Sequence, residues 1–236
     1  RKFLVEMFNK FLLNFGWWVN RKDEEGRNVF QGGFLGLDNI GVFDRNMPIP
    51  GGGRLDQADG TSWMAQYALV LFMIATELWQ EEDSYEDLAR KFLRHFCMIV
   101  DASTHMGDQG VNLWDDKDGF FYDVIRKPDG TSQALPVRSV VGLLPMIATG
   151  YLKISEYQRG EELKNLIKEV GRDFPLLLEE CHICSKGREN EWLLSMVSEE
   201  QLKRILEYML AEHEFLSPYG IRSLSKFHEL HPVGVE

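Results

Sequence analysis

The chain is poor in cysteine and in basic residues, and it has no long apolar run. Cys97, Cys181 and Cys184 are too few for a disulfide scaffold and odd in number, which favours a reducing, cytoplasmic compartment. Lys and Arg total 26 against 37 Asp and Glu, and the formal net charge of −11 argues against nucleic-acid or anionic-lipid partners. No segment resembles a signal peptide or reaches the roughly 18 apolar residues of a membrane span. A neutral or weakly charged small ligand fits this balance.

Metal-binding patterns are also missing from the sequence. The six histidines form no H-E-x-x-H or other ligand pairing, so metal catalysis is not indicated. Cys181 and Cys184 form a single C-x-x-C, whereas structural zinc needs four ligands. The stretch "DDKDG" lacks the spacing of an EF-hand, because Trp114 stands at the first ligand position. We therefore expect no metal and no cofactor.

The composition is that of an ordinary folded protein. Of the 236 residues, 44% are hydrophobic and 27% are charged, which is enough apolar material for a large core. The sequence starts at Arg1 already inside an apolar pattern, "RKFLVEMFNKFLLNF", which is typical of the interior of a longer protein. We expect residues 1–236 to be part of one domain without an internal boundary, and any targeting signal to lie elsewhere.

The strongest periodic signals are helical and of two kinds. "TSWMAQYALVLFMIATELW", residues 61–79, and "RSVVGLLPMIATGYL", residues 138–152, are apolar nearly all round, which predicts buried helices, the second kinked at Pro145. Amphipathic helices are predicted from Ser84, with Asp87 at capping-box spacing, within residues 160–174, and from Ser198, where Gln201 completes a capping box. Buried helices alternating with half-exposed ones predict an all-α fold, part of an α/α toroid with an inner and an outer ring.

Long connections are predicted at roughly residues 19–59, 103–136 and from Ser217 onward, and long loops in compact domains are usually functional. They hold aromatic residues mixed with carboxylates, amides and an arginine. Such a mixture suits a sugar, which presents apolar C–H faces ringed by hydroxyl groups.

Four motifs in these regions resemble glycoside hydrolase family 63, which includes processing α-glucosidases. They are, in this order, "GGFLGLDNIGVFDR", "LDQADGTSWMA", "LWDDKDGFFYDV" and "SPYGIRSLS", and the resemblance extends from about Trp17 to His231. The resemblance implies an (α/α)6 toroid, of which this chain is roughly the first half, and hydrolysis of α-glucosides or α-mannosides with inversion. It also implies that the rest of the catalytic domain is a partner and that this segment alone is inactive.

The resemblance makes Asp38 the general acid, because it occupies the Asp of the family's Gly-(Leu/Met)-Asp-(Asn/Asp) motif. Apolar neighbours such as Phe34, Leu37 and Phe43 would raise the pKa of its carboxyl and keep it protonated. An inverting enzyme also needs a carboxylate base, and the family's base motif is absent from this sequence. Without the resemblance, Asp38 would be read as a turn residue supported by Asn39.

Substrate contacts are predicted for residues in or beside the motifs. They are Trp18, Phe34, Asn39, Gln57, Asp59, Trp63, Trp114, Phe121, Tyr122, Tyr219 and Arg222. Simpler roles compete: Asp59 can serve a helix N-terminus, Phe121 and Tyr122 can pack in the core, and the segment holding Tyr219 and Arg222 can merely turn the chain.

Two other functions are compatible with the sequence. A sugar epimerase or isomerase would need histidines above the ring, and His105 is the histidine within the motif-bearing loops. A carbohydrate-binding or scaffolding helical domain without catalysis is the second alternative. Either would still bind a carbohydrate rather than nucleic acid or membrane.

Overall fold

A computed structural model describes residues 1–20, 28–30, 37, 39–45, 47–49, 51–105, 111–185 and 191–234. Helices and short antiparallel strands follow one another in this part of the chain. None of the described helices combines the length and the apolarity needed to cross a bilayer. The predicted site residues Phe34 and Asp38 lie outside the described residues.

The helical part of the fold is centred on α2 (Ala58–Trp79). This helix packs against α1 (Lys2–Val19), α3 (Glu86–Thr104) and a 3₁₀ helix, Val140–Ile147. Because it has neighbours on several sides, α2 is buried on most of its faces, as its apolar sequence predicted. It begins three residues before the predicted start at Thr61.

Helix α1 packs through two phenylalanines that lie two turns apart on one face. The rings of Phe8 and Phe15 meet Phe92 of α3 edge-on, with centroid separations of 6.0 and 5.2 Å. The opposite side of α1 stays open to solvent, and Leu13 is 79% exposed. Helix α1 therefore covers α2 and α3 from one side only.

The strands in the described part of the chain form four small antiparallel sheets. The first has the order β1-β4-β5, the second pairs β2 with β3, the third has the order β6-β8-β7, and the fourth pairs β9 with β10. The strands are β1 Arg54–Asp56, β2 Trp114–Asp115, β3 Phe120–Phe121, β4 Asp123–Arg126, β5 Ser132–Leu135, β6 Thr149–Lys153, β7 Ile183–Cys184, β8 Glu191–Ser195, β9 Leu216–Ser217 and β10 Gly220–Ile221. The other described α-helices are α4 Gly160–Arg172, α5 Pro175–Glu179 and α6 Glu199–Met209, and short 3₁₀ helices span Asp83–Tyr85, Ile154–Glu156 and Lys226–Glu229.

The predicted all-α fold is therefore wrong. Of the residues that the structure describes, 51% are helical and 16% are in strands, so the fold is mixed and not an all-α toroid. Strands β1 to β5 lie inside the two segments predicted as long loops. The predicted helix at residues 138–152 is instead a 3₁₀ helix followed by β6.

Packing and proline chemistry explain that last difference. Pro145 has no N–H for an α-helical hydrogen bond. Gly142 lies so close to the β2–β3 hairpin that a Cβ atom there would stand 2.3 Å from the carbonyl oxygen of Phe121. Ser139 begins the 3₁₀ helix, and its Oγ accepts a hydrogen bond of 3.3 Å from the N–H of Val141. Residues 149–153 then pair with β8.

The two predicted capping boxes have opposite outcomes. At α6 the box is confirmed: the Gln201 N–H donates to Ser198 Oγ at 3.2 Å, and the Ser198 N–H donates to Gln201 Oε1 at 2.9 Å. The box at Ser84 and Asp87 is wrong, because a 3₁₀ turn precedes α3 and no side chain caps it.

Candidate functional site

The described part of the "GGFLGLDNIGVFDR" motif is held at the start of α2. Leu37 is half-buried, Asn39 is exposed, and Arg45 is buried with 8% of its surface exposed. Residues 39–45 form turns and bends rather than a helix or strand. This segment has no regular backbone hydrogen-bond pattern, and side-chain contacts of Arg45 connect it to the start of α2.

Arg45 binds two carboxylates with all three guanidinium nitrogens. Its Nη1 and Nη2 donate to Asp59 at 3.0 and 2.5 Å, and its Nε and Nη2 donate to Asp123 at 2.8 and 3.2 Å. Nη1 also donates to the carbonyl oxygen of Leu37 at 3.2 Å. The side chain of Asp59 is fully buried and that of Asp123 is 11% exposed. We name Arg45, Asp59 and Asp123 the arginine cluster.

Burial and charge act against each other in the arginine cluster. Burial raises the pKa of Asp123 to about 6, while the positive charge of Arg45 lowers it and the negative charge of Asp59 raises it further. Burial disfavours the charge of Arg45, but hydrogen bonds and attraction from Asp59 and Asp123 outweigh it and raise the pKa of the guanidinium. The two acids share one cation, so the cluster carries an excess negative charge when both are ionised.

Gln57 and Asp59 are both committed to contacts within the protein. Gln57 is the N-cap residue of α2, and its side-chain amide donates to the carbonyl oxygen of Arg45 at 3.3 Å. Asp59 Oδ1 also accepts from the N–H of Gly60 at 2.8 Å. These contacts give both residues a role in positioning the motif; their predicted contact with substrate stays a prediction.

Two of the predicted tryptophans come together in a groove between α1 and α2. Trp18 and Trp63 line it, and 45% of the Trp63 surface is exposed. Its volume is about 420 Å³, within the usual range of about 300–1,000 Å³ for small-molecule sites. We name this the aromatic groove; its described lining residues are Phe11, Trp18, Gly60, Trp63, Met64, Gln66, Tyr67 and Val70.

The aromatic groove starts one helical turn from the arginine cluster. Trp63 follows Asp59 by four residues on α2, so the two share one side of the helix at a rise of about 6 Å. Gly60 lines the groove, and its backbone N–H donates a hydrogen bond to Asp59 Oδ1. The segment that leads to Asp38 and the aromatic groove therefore meet at the same end of α2.

Trp114 lines a second cavity, of about 640 Å³, near the end of α3 and the start of α6. Its Nε1 donates to Asp116 at 2.8 Å. His105, considered for epimerase chemistry, lies beside the same cavity with its Nε2 3.1 Å from Glu180. Within the described ranges, no group of three or more His, Cys, Asp or Glu side chains could hold a metal ion.

Apart from Trp18 and Trp63, the predicted contact residues that the structure describes are not part of the lining of the aromatic groove. Phe121 and Tyr122 are buried and line, with Arg45 and Asp123, a cavity of about 20 Å³ that could hold little more than one water. Tyr219 is 99% exposed at the β9–β10 turn.

Arg222 has local backbone contacts. Its Nη1 donates to the carbonyl oxygens of Glu212 at 3.1 Å and Glu214 at 3.2 Å, and also to that of Leu216. Arg222 therefore supports the turn in the chain that the simpler interpretation of "SPYGIRSLS" predicted.

Sequence reasoning missed several residues that build this region. Asp123 contacts Arg45 across 78 residues, and no local pattern shows such a pairing. Phe11, Gln66 and Tyr67 line the aromatic groove but stand outside the residues singled out for sugar binding. Spacing could have found two of them, because Gln66 and Tyr67 follow Trp63 by three and four residues on the same helix.

Comparison with known proteins gives one long alignment. No family model matches the chain. The chain is 46% identical over 245 aligned residues to the uncharacterized protein YMR196W of Saccharomyces cerevisiae strain S288c. The alignment covers 98% of this chain and 22% of the yeast protein, so the chain spans about a fifth of that relative's length.

Proposed function

We propose that this segment is the acid-bearing part of an inverting α-glycosidase of the family 63 type, acting on α-glucosides or α-mannosides. Asp38 is the general acid in this proposal. The observation that carries it is the position of Arg45, which binds the Leu37 carbonyl immediately before Asp38 and also binds Asp59 at the start of α2. This arrangement ties the motif beside an aromatic groove suited to a sugar ring.

The chemistry requires Asp38 to protonate the leaving oxygen of the glycoside. Leu37 precedes Asp38 in the sequence and Phe43 follows it by five residues, and both are half-buried and apolar. Apolar surroundings would favour a protonated carboxyl at Asp38. The reaction also needs a carboxylate about 6.5–9.5 Å away that activates water. Asp59 and Asp123 are poor candidates because both carboxylate groups are bound by Arg45. We propose that another part of a longer protein supplies the base.

The substitution Asp38→Asn in the full-length protein tests the acid. We expect kcat to fall about 100- to 10,000-fold, as for removal of a general acid, with the affinity for the sugar largely kept. Asp44→Asn is the matched control, since Asp44 is an exposed acid of the same motif. Turnover by Asp38→Asn equal to that of Asp44→Asn would contradict the assignment.

The configuration of the product tests the mechanism separately. Proton NMR of the first product released from an α-glycoside should show the β anomer, because inversion requires a single displacement by water. An α anomer as first product would contradict inversion. Sugar binding without turnover by the full-length protein would favour the carbohydrate-binding alternative, for which the aromatic groove is the supporting observation.

A further inference from the structure

The aromatic groove contains a polar atom that the protein itself does not satisfy. Gln66 lies on α2 and lines the groove, and its side-chain oxygen Oε1 is buried without a hydrogen-bond partner. A buried acceptor without a partner carries an uncompensated desolvation penalty. A ligand that donates a hydrogen bond to this oxygen would remove that penalty.

The location of Gln66 separates it from other such atoms in the described part of the chain. The indole nitrogens of Trp79 and Trp192 also have no partner, but these residues are 1% and 7% exposed and belong to the packed core. Gln66 instead lines a groove in which Trp63 and Phe11 are 45% and 36% exposed. The torsion that orients a glutamine amide is broad, so its oxygen can turn toward a ligand at little cost.

The remaining described lining of the groove limits the kind of ligand. It contains no charged side chain, so a neutral ligand fits better than an ion. The hydroxyl of Tyr67 donates to the carbonyl oxygen of Phe11 at 3.0 Å and is already engaged. Gln66 Oε1 is therefore an unused acceptor in this lining, and it can distinguish one neutral ligand from another.

We propose that the aromatic groove is a sugar-binding subsite and that Gln66 determines its specificity. Trp18 and Trp63 pack against the C–H face of one hexose ring, and Gln66 Oε1 accepts a hydrogen bond from one of its hydroxyl groups. The choice of a hexose rests on the proposed glycosidase function. The subsite itself rests on the groove and its unpaired amide oxygen.

The substitution Gln66→Met tests the hydrogen bond, because methionine keeps the shape of the side chain without its amide. Calorimetric titration of the full-length protein with methyl α-D-glucopyranoside and methyl α-D-mannopyranoside should show a roughly tenfold loss of affinity for the preferred sugar. Gln133→Met is the matched control, since Gln133 is exposed on β5, and it should bind like the wild type. Equal affinities for Gln66→Met and the wild type would overturn the proposal.

A series of monodeoxy sugars identifies the hydroxyl. The wild type should lose roughly tenfold in affinity for the analogue that lacks the bound hydroxyl, and Gln66→Met should lose nothing further with that analogue. If every analogue weakens both proteins by the same factor, Gln66 contacts no hydroxyl and the specificity role is wrong.

Substitutions of Trp63 test the stacking surface. Trp63→Ala should abolish measurable binding and Trp63→Phe should keep part of it, whereas Tyr151→Ala, which removes an aromatic residue 53% exposed on β6, should bind like the wild type. If Trp63 is shielded from acrylamide quenching in the sugar-free full-length protein, polypeptide covers the groove and the subsite is wrong. Circular dichroism shows whether each variant is folded. If Trp63→Ala is unfolded, the affinity of Trp63→Phe tests the stacking surface instead.

These results separate the subsite from the proposed catalysis. Unchanged binding by Gln66→Met together with loss of turnover by Asp38→Asn would overturn the subsite and keep the glycosidase. Weaker binding by Gln66→Met together with full turnover by Asp38→Asn would keep the subsite and remove the assigned acid.

Discussion

Two neighbouring regions at the first turns of α2 differ in whether their buried polar groups have hydrogen-bond partners. In the arginine cluster, every donor nitrogen of Arg45 meets an oxygen of Asp59, Asp123 or Leu37. In the aromatic groove, the side-chain oxygen of Gln66 accepts no hydrogen bond from the residues that the structure describes. The regions are separated by about one turn of the same helix.

The difference separates a region that stabilises the fold from a region that we propose binds a ligand. A satisfied buried network fixes its members in one arrangement, and breaking it leaves charges without partners. A buried group without a partner beside an open groove is a cost to the unliganded protein that a ligand can remove. Polar substitutions should therefore have opposite effects on stability in the two regions.

Removal of the cation should have the largest effect on stability. Arg45→Met leaves Asp59 and Asp123 buried without a counter-charge, and we expect a loss of about 3–5 kcal/mol in unfolding free energy. Thermal denaturation of the full-length protein measures it. Arg94→Met is the control, because the ion pair of Arg94 with Asp173 is about half exposed and should contribute less than about 1 kcal/mol. Similar losses for both variants would mean that the arginine cluster stabilises the fold no more than an exposed ion pair does.

The pH dependence of Asp123 should be the next largest effect. Its folded-state pKa of about 6 lies above the ordinary value of 3.8, so the folded protein binds this proton more tightly than the unfolded chain does. The resulting stability is fully present below about pH 4 and is lost as the pH rises through about 6. Relative to Asp123→Asn, the wild type should therefore lose up to about 3 kcal/mol between these values.

Hydrogen exchange of the α2 amides, followed across that pH range, measures this difference locally. Asp129→Asn is a suitable comparison, since Asp129 is an exposed acid whose pKa is lowered chiefly by the hydroxyl of Thr131. A wild-type profile parallel to that of Asp123→Asn would show that Asp123 stays ionised throughout.

The smallest effect has the opposite sign. Gln66→Met removes a buried acceptor without a partner, and we expect the sugar-free protein to gain about 1 kcal/mol in stability. Thermal denaturation without sugar, with Gln133→Met as reference, measures the gain. A loss of stability would show that the amide of Gln66 already has a partner in the protein, and the contrast between the two regions would disappear.

Local patterns in the sequence predicted local features correctly. The capping box of Ser198 and Gln201 depends on residues three positions apart, and the apolar character of residues 61–79 reflects burial all around one helix. Trp18 and Trp63 were both assigned to sugar binding from residue chemistry, and the fold brings them to one groove. Their contact with a sugar remains a prediction.

Features that depend on distant partners could not be predicted. Strands β2 and β3 have two residues each, too short for an alternating pattern, and so the all-α interpretation overlooked them. Apolar residues 138–152 suggested a helix because short apolar runs do not distinguish a helix from a buried strand. The pairing of Arg45 with Asp123 spans 78 residues and has no local signal.

That long-range pairing has a consequence for the order in which the protein can be assembled. A growing chain that has emerged only through α2 contains Asp38, Arg45 and Asp59, but it lacks the second carboxylate of the cluster. Asp123 arrives only with β4, which then pairs with β1 and β5. The residues of the motif are therefore synthesised before the carboxylate that binds Arg45 from β4. A ribosome-bound chain stopped before residue 123 would contain the motif without the contact between Arg45 and Asp123.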